Sequence, residues 1–334
     1  MKILYIYREK EKNEHSIEAV FDTIASSMEG LGHEVHKWYK PMSWKLTFKE
    51  IYKLRKQHYD IYHITGDVNY LWLFFPWSKT TMTCHDIGMY KNHAKRFVSV
   101  LYVWVCFIIS QWFIKKITAV SELTKSDLVN ILNIRNNKIQ VIPNPVSLPL
   151  SRCEKPFNHK CPTILQIGTG WHKNLEGLLE SIRDIKCYVE IVGKPNEVDM
   201  KRLNDYGIDY NISSHISIAE IVRKYQECDI LYFVSRSEGF GMPIIEAQTV
   251  GRAVITTNIE PTKTVANGAA ILCGTEDHQA IHDAIVKLIR DDEYRNDLIE
   301  KGFANAAQYN VESIGLMYEK FYKNTFKIHY ENFG

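Results

Sequence analysis

Two glutamates, Glu238 and Glu246, bracket the run Gly239-Phe240-Gly241-Met242-Pro243-Ile244-Ile245, leaving seven residues between them. A β-branched stretch, Asp229–Ser235, leads into this run, and a short apolar helix pattern follows from Pro243 to Val250. Where a strand turns into a helix, unbonded N–H groups and the positive end of the helix dipole face the turn, which suits a phosphate. Glycines let that backbone take paths closed to other residues and approach a ligand closely. Pro243 opens the helix without wasting a donor. The amides around Gly241 and Met242 are therefore the expected phosphate contacts. Glu246, three residues into the helix, would repel a phosphate. Its suited partner is a pair of vicinal hydroxyls, such as a ribose offers. Glu238 is expected to project from the strand end. An ordinary turn accounts for one glycine and the proline, but not for two acids at this spacing.

The elements that must position these groups are strands alternating with helices, the pattern of a parallel sheet covered by helices. Strands are expected at Lys2–Tyr7, His33–Tyr39, Asp60–Thr65, Thr80–Cys84, Lys116–Ser121 and Lys138–Ile142. A second set falls at Thr163–Gly168, Cys187–Val192, Asp229–Ser235 and Ala253–Thr257. Helical spacing marks a stretch from about Ser16, Thr47–His58, Leu175–Ile185, Ile218–Gln226 and most of the chain after Asp277. A proline-dense stretch running from Pro143 to Pro162 has no periodicity and reads as a hinge. The fold expected is α/β, with two doubly wound domains and ligands at the carboxyl ends of the strands.

Composition narrows the function. The chain has 334 residues and is 45% hydrophobic and 24% charged, an ordinary globular make-up. Its seven cysteines form no C-x-x-C pair, which disfavours a disulfide scaffold or structural zinc and fits a reducing cytosol. Residues 1–150 hold 20 Lys/Arg against 13 Asp/Glu, while the remainder hold 21 against 26. A basic first half suits an anionic partner such as a lipid surface. Its lysines are not interleaved with stacking aromatics, so nucleic acid is not expected. The apolar segment Phe97–Ile114 lies between Lys91, Lys95 and Arg96 and Lys115 and Lys116. It reads as a helix packed on the sheet, and if it meets lipid it lies in the interface rather than spanning it. Gly168-Thr169-Gly170 invites a dinucleotide reading, but position 173 is Lys where G-x-G-x-x-G needs its third glycine.

The stretch E-G-F-G-x-P-x-x-E-A, followed by Val250-Gly251-Arg252-Ala253, resembles the E-x7-E signature of retaining GT-B glycosyltransferases of family 4. Further stations agree in order along nearly the whole chain: Gly32-His33-Glu34-Val35, His85-Asp86, Val120-Ser121-Glu122, Val141-Ile142-Pro143-Asn144, and Gly168 through Lys173-Asn174. The resemblance implies two Rossmann-like domains facing across a cleft. Residues 1–150 would form the acceptor domain, 151–162 a linker and 163–312 the nucleotide-sugar domain, with a helix in 313–334 crossing back to the first domain.

The resemblance also implies roles. Glu246 would hold the ribose, Glu238 the hydroxyls of the donor sugar, and the backbone of Gly239, Phe240, Gly241 and Met242 the distal phosphate. Lys173 would neutralise the departing diphosphate, with Gly168, Thr169 and Asn174 completing that loop, and His85 with Asp86 would stand near sugar and acceptor. No cofactor is implied beyond the nucleotide-diphosphate sugar itself, UDP being favoured over GDP, and no D-x-D or Asp/His cluster requires a metal. The activity implied is retaining, metal-independent sugar transfer to a glycan or lipid-linked acceptor in surface polysaccharide or lipopolysaccharide synthesis, at the inner membrane face. An epimerase or phosphorylase of the same fold, or a silent nucleotide-binding subunit, is the alternative. The sequence departs from the family at three places, one of them Thr264, which stands ahead of Val265 where an acid is often found. The loop Arg8–Ser16 lacks the usual glycine pair, leaving Arg8 or the Ser16 helix start to substitute. Thr169 and His172 stand where an arginine commonly joins the lysine. The aromatics Tyr70, Trp72, Phe74, Phe75 and Trp77 are candidates for an acceptor groove.

Overall fold

Lys2–Tyr7 (β1), almost wholly buried, is a strand of the kind that parallel sheets bury on both faces. The computed structural model describes residues 1–9, 16–87 and 97–327. The chain forms two compact units, Met1–Ser147 with Val311–Gly334, and Leu148–Asn310.

The first unit holds a six-stranded parallel sheet in the order β2-β1-β3-β4-β5-β6. Its other strands are β2 (Glu34–Tyr39), β3 (Ile61–Ile64), β4 (Thr80–Cys84), β5 (Ile117–Ala119) and β6 (Ile139–Val141). Ile3 pairs with Val35 on one side and with Ile61 on the other. The core gathers Leu4, Ile6, Ile64, Met82, Cys106 and Ala119. The helix Val311–Phe326 closes this unit. Its Tyr322 hydroxyl lies 2.6 Å from His63 Nδ1, while His63 Nε2 lies 2.8 Å from Thr83 Oγ1. Burial pushes the His63 pKa down to about 3, so the ring is a neutral core group. Glu319 on the same helix sits 2.9 Å from His33 Nε2.

The segment Phe97–Ile114 begins as α-helix over Phe97–Val103, widens to a π-helical turn over Trp104–Ile109 and ends in a 3₁₀ turn, Ser110–Trp112. Val103, Cys106 and Phe107 face the core, and the Trp72 indole donates to the Val105 carbonyl at 2.9 Å. Its flanking Lys91, Lys95 and Arg96 lie outside the described residues. Among the described residues, no helix is long and apolar enough to cross a membrane.

The second unit repeats the plan in the order β12-β11-β10-β7-β8-β9, again all parallel. Its strands are β7 (Thr163–Ile167), β8 (Tyr188–Val192), β9 (Asp209–Ser213), β10 (Ile230–Phe233), β11 (Ala253–Thr257) and β12 (Ile271–Cys273). The chain runs from β7 outward to β9, then returns to lay β10 on the other side of β7. That reversal makes the crevice beyond β7 and β10 the expected ligand position. The proline-dense stretch is bonded to this unit rather than hanging free. The Cys153 amide donates to the Val250 carbonyl at 3.1 Å, and Lys155 pairs with buried Asp229.

Candidate active site

The loops leaving β7 and β10 are stapled together. The Arg236 amide donates to the His172 carbonyl at 2.7 Å, and the Arg236 guanidinium donates to the Trp171 carbonyl at 2.9 Å. In the β7 loop, Gly168 takes φ +84° because the Lys173 side chain runs across it; a Cβ there would stand 2.9 Å from Lys173 Cγ. Asn174, left-handed at φ 57°, caps the helix Leu175–Ser181 by accepting from the Gly177 amide. Its amide nitrogen donates to the Val234 carbonyl at 3.1 Å and to the Thr275 carbonyl at 2.8 Å. Asn174 thus fixes the loop to its neighbours, and its side chain is committed to backbone. Thr169 is likewise engaged, donating to the Lys194 carbonyl at 2.7 Å.

This scaffold delivers Lys173 to Glu238. Nζ lies 2.6 Å from Oε1, with both side chains partly buried, and Nζ also stands 5.0 Å from the centre of the Phe233 ring. The β10 loop then reaches the helix Met242–Val250, so Pro243 occupies the second helical position rather than the first. Of the two glycines, Gly241 takes the left-handed backbone, at φ 110°; a Cβ there would meet Ile244 and Thr262 at 3.2 and 3.3 Å. No side chain caps this N-terminus. Phe240 is buried edge-on against Tyr309, which fixes the turn.

Glu246 lies on the same helix, 7% exposed. The Tyr225 hydroxyl donates to its Oε2 at 2.5 Å. Burial raises the carboxyl pKa to about 7, against a smaller lowering by that hydrogen bond. Tyr225, from the helix Ile218–Glu227, went unnoticed in the sequence because its partner lies 21 residues away on another helix. Arg236 was also missed, although it stands two residues before Glu238.

The structure therefore pairs Lys173 with Glu238, runs Lys173 across Gly168, and carries Gly239, Phe240, Gly241, Met242 and Glu246 on the loop and helix that follow Glu238. His172 does not replace the family's second cation. Desolvation, and then the Lys173 charge, lower its pKa, so it is neutral near pH 7. A cavity of about 520 Å³ opens beside the same loops, lined by Thr169, Trp171, Glu176, Arg202 and Arg236 but not by Lys173 or Glu238.

His85 and Asp86 belong to the first unit, directly after β4. His85 Nε2 lies 2.7 Å from the Thr65 carbonyl, which assigns the proton to Nε2 and leaves Nδ1 an acceptor. Gly66 makes room for the ring, since a Cβ there would come 2.8 Å from His85 Cδ2. Burial lowers the His85 pKa, so this ring too is neutral. Asp86 is exposed. Arg8, offered as a substitute for the missing glycines, binds Glu18 at 2.7 Å and Asp67 at 2.8 Å. Residues 10–15 of that loop lie outside the described residues. The acceptor-groove reading needs correction at Trp72 and Phe75, which are buried core side chains because the 3₁₀ turn Asn69–Phe74 packs onto the sheet. Among the described residues, no group of three His, Cys, Asp or Glu side chains could hold a metal ion.

The chain is similar in sequence and fold to known proteins. The family described as Glycosyl transferases group 1 matches residues 150–304, and Glycosyltransferase Family 4 matches residues 25–149. The N,N'-diacetylbacillosaminyl-diphospho-undecaprenol alpha-1,3-N-acetylgalactosaminyltransferase of Campylobacter jejuni is 25% identical over 72% of this chain and 68% of its own. The O-antigen chain mannosyltransferase RfbU of Salmonella typhimurium is 24% identical over 71% and 67%. Among solved structures, Anabaena HepE in complex with UDP and glucose superposes with a TM-score of 0.75 at 14% identity, covering 97% of this chain and all of that one. Two six-stranded parallel sheets, a shared fold and two adjoining family matches lead to one conclusion: the chain belongs to the group 1 glycosyltransferases of GT-B fold.

Proposed function

We propose that the chain transfers a sugar from a nucleotide-diphosphate sugar to a glycan or lipid-linked acceptor in surface polysaccharide or lipopolysaccharide synthesis, with retention at the anomeric carbon and no need for a divalent metal. The observation that carries this is the Lys173–Glu238 pair, 2.6 Å apart, on a unit that also offers the Gly241-capped helix and Glu246. Breaking a glycosyl–phosphate bond leaves an anionic diphosphate, and catalysis needs fixed positive potential where that charge grows. Lys173 and the N-terminus of Met242–Val250 supply it. Glu238 accepts hydrogen bonds from the sugar hydroxyls, and Glu246 binds the ribose. In the front-face route the departing phosphate takes the proton of the acceptor hydroxyl on the same side of the sugar. Glu238 is then a positioning group, not a covalent nucleophile, unlike one of the paired carboxylates of retaining glycosidases. UDP is the donor nucleotide to try first, since HepE was solved with UDP-glucose. The relatives' names, which concern O-antigen and undecaprenol-linked sugars, support a glycan or lipid-linked acceptor.

The first unit's surface supports a place at the inner membrane face. Trp44, Leu46, Phe48 and Tyr52 stand exposed on the helix Trp44–Arg55, and Lys40 lies 5.0 Å over the Trp44 ring. Leu101, Trp104 and Trp112 are exposed on the apolar segment. Aromatic side chains among lysines suit the interface of an anionic bilayer.

Incubating the purified protein with UDP- and GDP-sugars and undecaprenol-linked acceptors tests the assignment. The expected product carries the donor's anomeric configuration by NMR, forms equally well in EDTA, and forms far more slowly in Lys173→Ala. An inverted product or a metal requirement refutes the corresponding part. Sedimentation with phosphatidylglycerol vesicles, compared with phosphatidylcholine alone, tests the membrane contact.

A further inference from the structure

We propose that Tyr225 is a positioning residue for donor binding, its hydroxyl holding the Glu246 carboxylate as an acceptor by Oε2 so that Oε1 is left for the ribose hydroxyls. This rests on the reading of Glu246 as the ribose contact. The hydroxyl donates at 2.5 Å, Tyr225 is wholly buried, and Glu246 is nearly so. A phenol that donates to a carboxylate stabilises its ionised form, and in a water-poor setting such a bond is strong. Tyr225 is itself fixed: Arg252 Nε donates to its carbonyl at 3.1 Å, and the helix carrying it starts with a reciprocal cap between Ser217 and Glu220.

Among its surroundings, Tyr225 is the group whose hydrogen bond opposes the effect of burial on the carboxylate. Cys228 lies one turn on from Tyr225, and Arg252 acts on the Tyr225 backbone. The helix Asp292–Ala306 meets the Glu246 helix through Gly302 and Asn305 against Gln248, without adding charge to Glu246. Burial alone favours the protonated acid, whose oxygen accepts from ribose hydroxyls more weakly than a carboxylate's does. The tyrosine opposes that tendency.

The test is binding of UDP and of 2′-deoxy-UDP by calorimetry between pH 6 and 9, on the full chain. Wild-type affinity for UDP is expected to fall as pH drops through about 7, where Glu246 protonates. Tyr225→Phe is expected to move that midpoint upward by roughly one pH unit, weakening UDP about fivefold near pH 7 and sparing it at pH 9. The loss should shrink for 2′-deoxy-UDP. Tyr225→3,5-difluorotyrosine, a stronger donor that keeps the ring and the fold, should move the midpoint down. If Glu246→Gln weakens UDP while both Tyr225 variants leave the midpoint in place, Tyr225 has no positioning role and the ribose contact stands. If Glu246→Gln changes neither UDP affinity nor the preference over 2′-deoxy-UDP, the ribose reading itself fails.

Discussion

The Lys173 ammonium lies 2.6 Å from the Glu238 carboxylate, so without a donor each of these groups satisfies the other. A diphosphate that claims the lysine must loosen this pair. Glu238→Gln is therefore expected to tighten free nucleoside diphosphate while lowering sugar transfer. Lys173→Ala should weaken the diphosphate and cut kcat by about 10²–10³ fold. Calorimetry beside turnover with a nucleotide sugar separates the two, and parallel losses of diphosphate affinity in both variants would contradict the competition.

Burial of the Glu246 carboxyl costs stability. Its folded pKa, raised to about 7, exceeds the unfolded value near 4.5, so the native state holds the extra proton between those pH values. That contribution is fully present below pH 4.5 and lost as pH rises through 7. Glu246→Gln should raise the unfolding free energy by about 3 kcal/mol at pH 8 and by little at pH 4.5. Urea titrations at the two pH values decide it.

Gly251 closes the Met242–Val250 helix at φ 88°, and a Cβ there would stand 2.5 Å from the Phe303 ring. Gly251→Ala adds both backbone strain and a clash, expected to cost about 2–4 kcal/mol. Adding Phe303→Ala removes the clash but not the strain, so thermal melts of the double variant should recover only part of the loss.

Tyr322→Phe leaves a nitrogen of His63 and the Tyr5 hydroxyl each short of a partner inside the first unit. A stability loss of about 1–3 kcal/mol is expected, with the urea slope unchanged. A changed slope would mean that the variant alters more than this bond.

What the sequence disclosed follows the depth of burial. Thr80–Cys84 and Ala253–Thr257 were placed to the residue, because strands buried on both faces show short runs rich in β-branched residues and free of charge. Asp209–Ser213 was overlooked: it is the edge strand, half exposed, and its polar residues imitate a loop. The helices Glu197–Asp205 and Glu122–Asn130 were also missed, being short and announced mainly by their caps, Asn196 and Ser121. The expected helix Leu175–Ile185 stops at Ser181. At the site, the neighbours in sequence were legible and the partner across helices, Tyr225, was not.

The chain leaves the first unit at Ser147 and rejoins it at Val311, whereas the second unit is one unbroken stretch. On the ribosome, Leu148–Asn310 is therefore complete while the earlier-made sheet still waits for the helix that covers His63. Translation reverses the order in which the halves mature: the portion made first is finished last, and a transcript cut short near its end yields an intact second unit beside an unfinished companion.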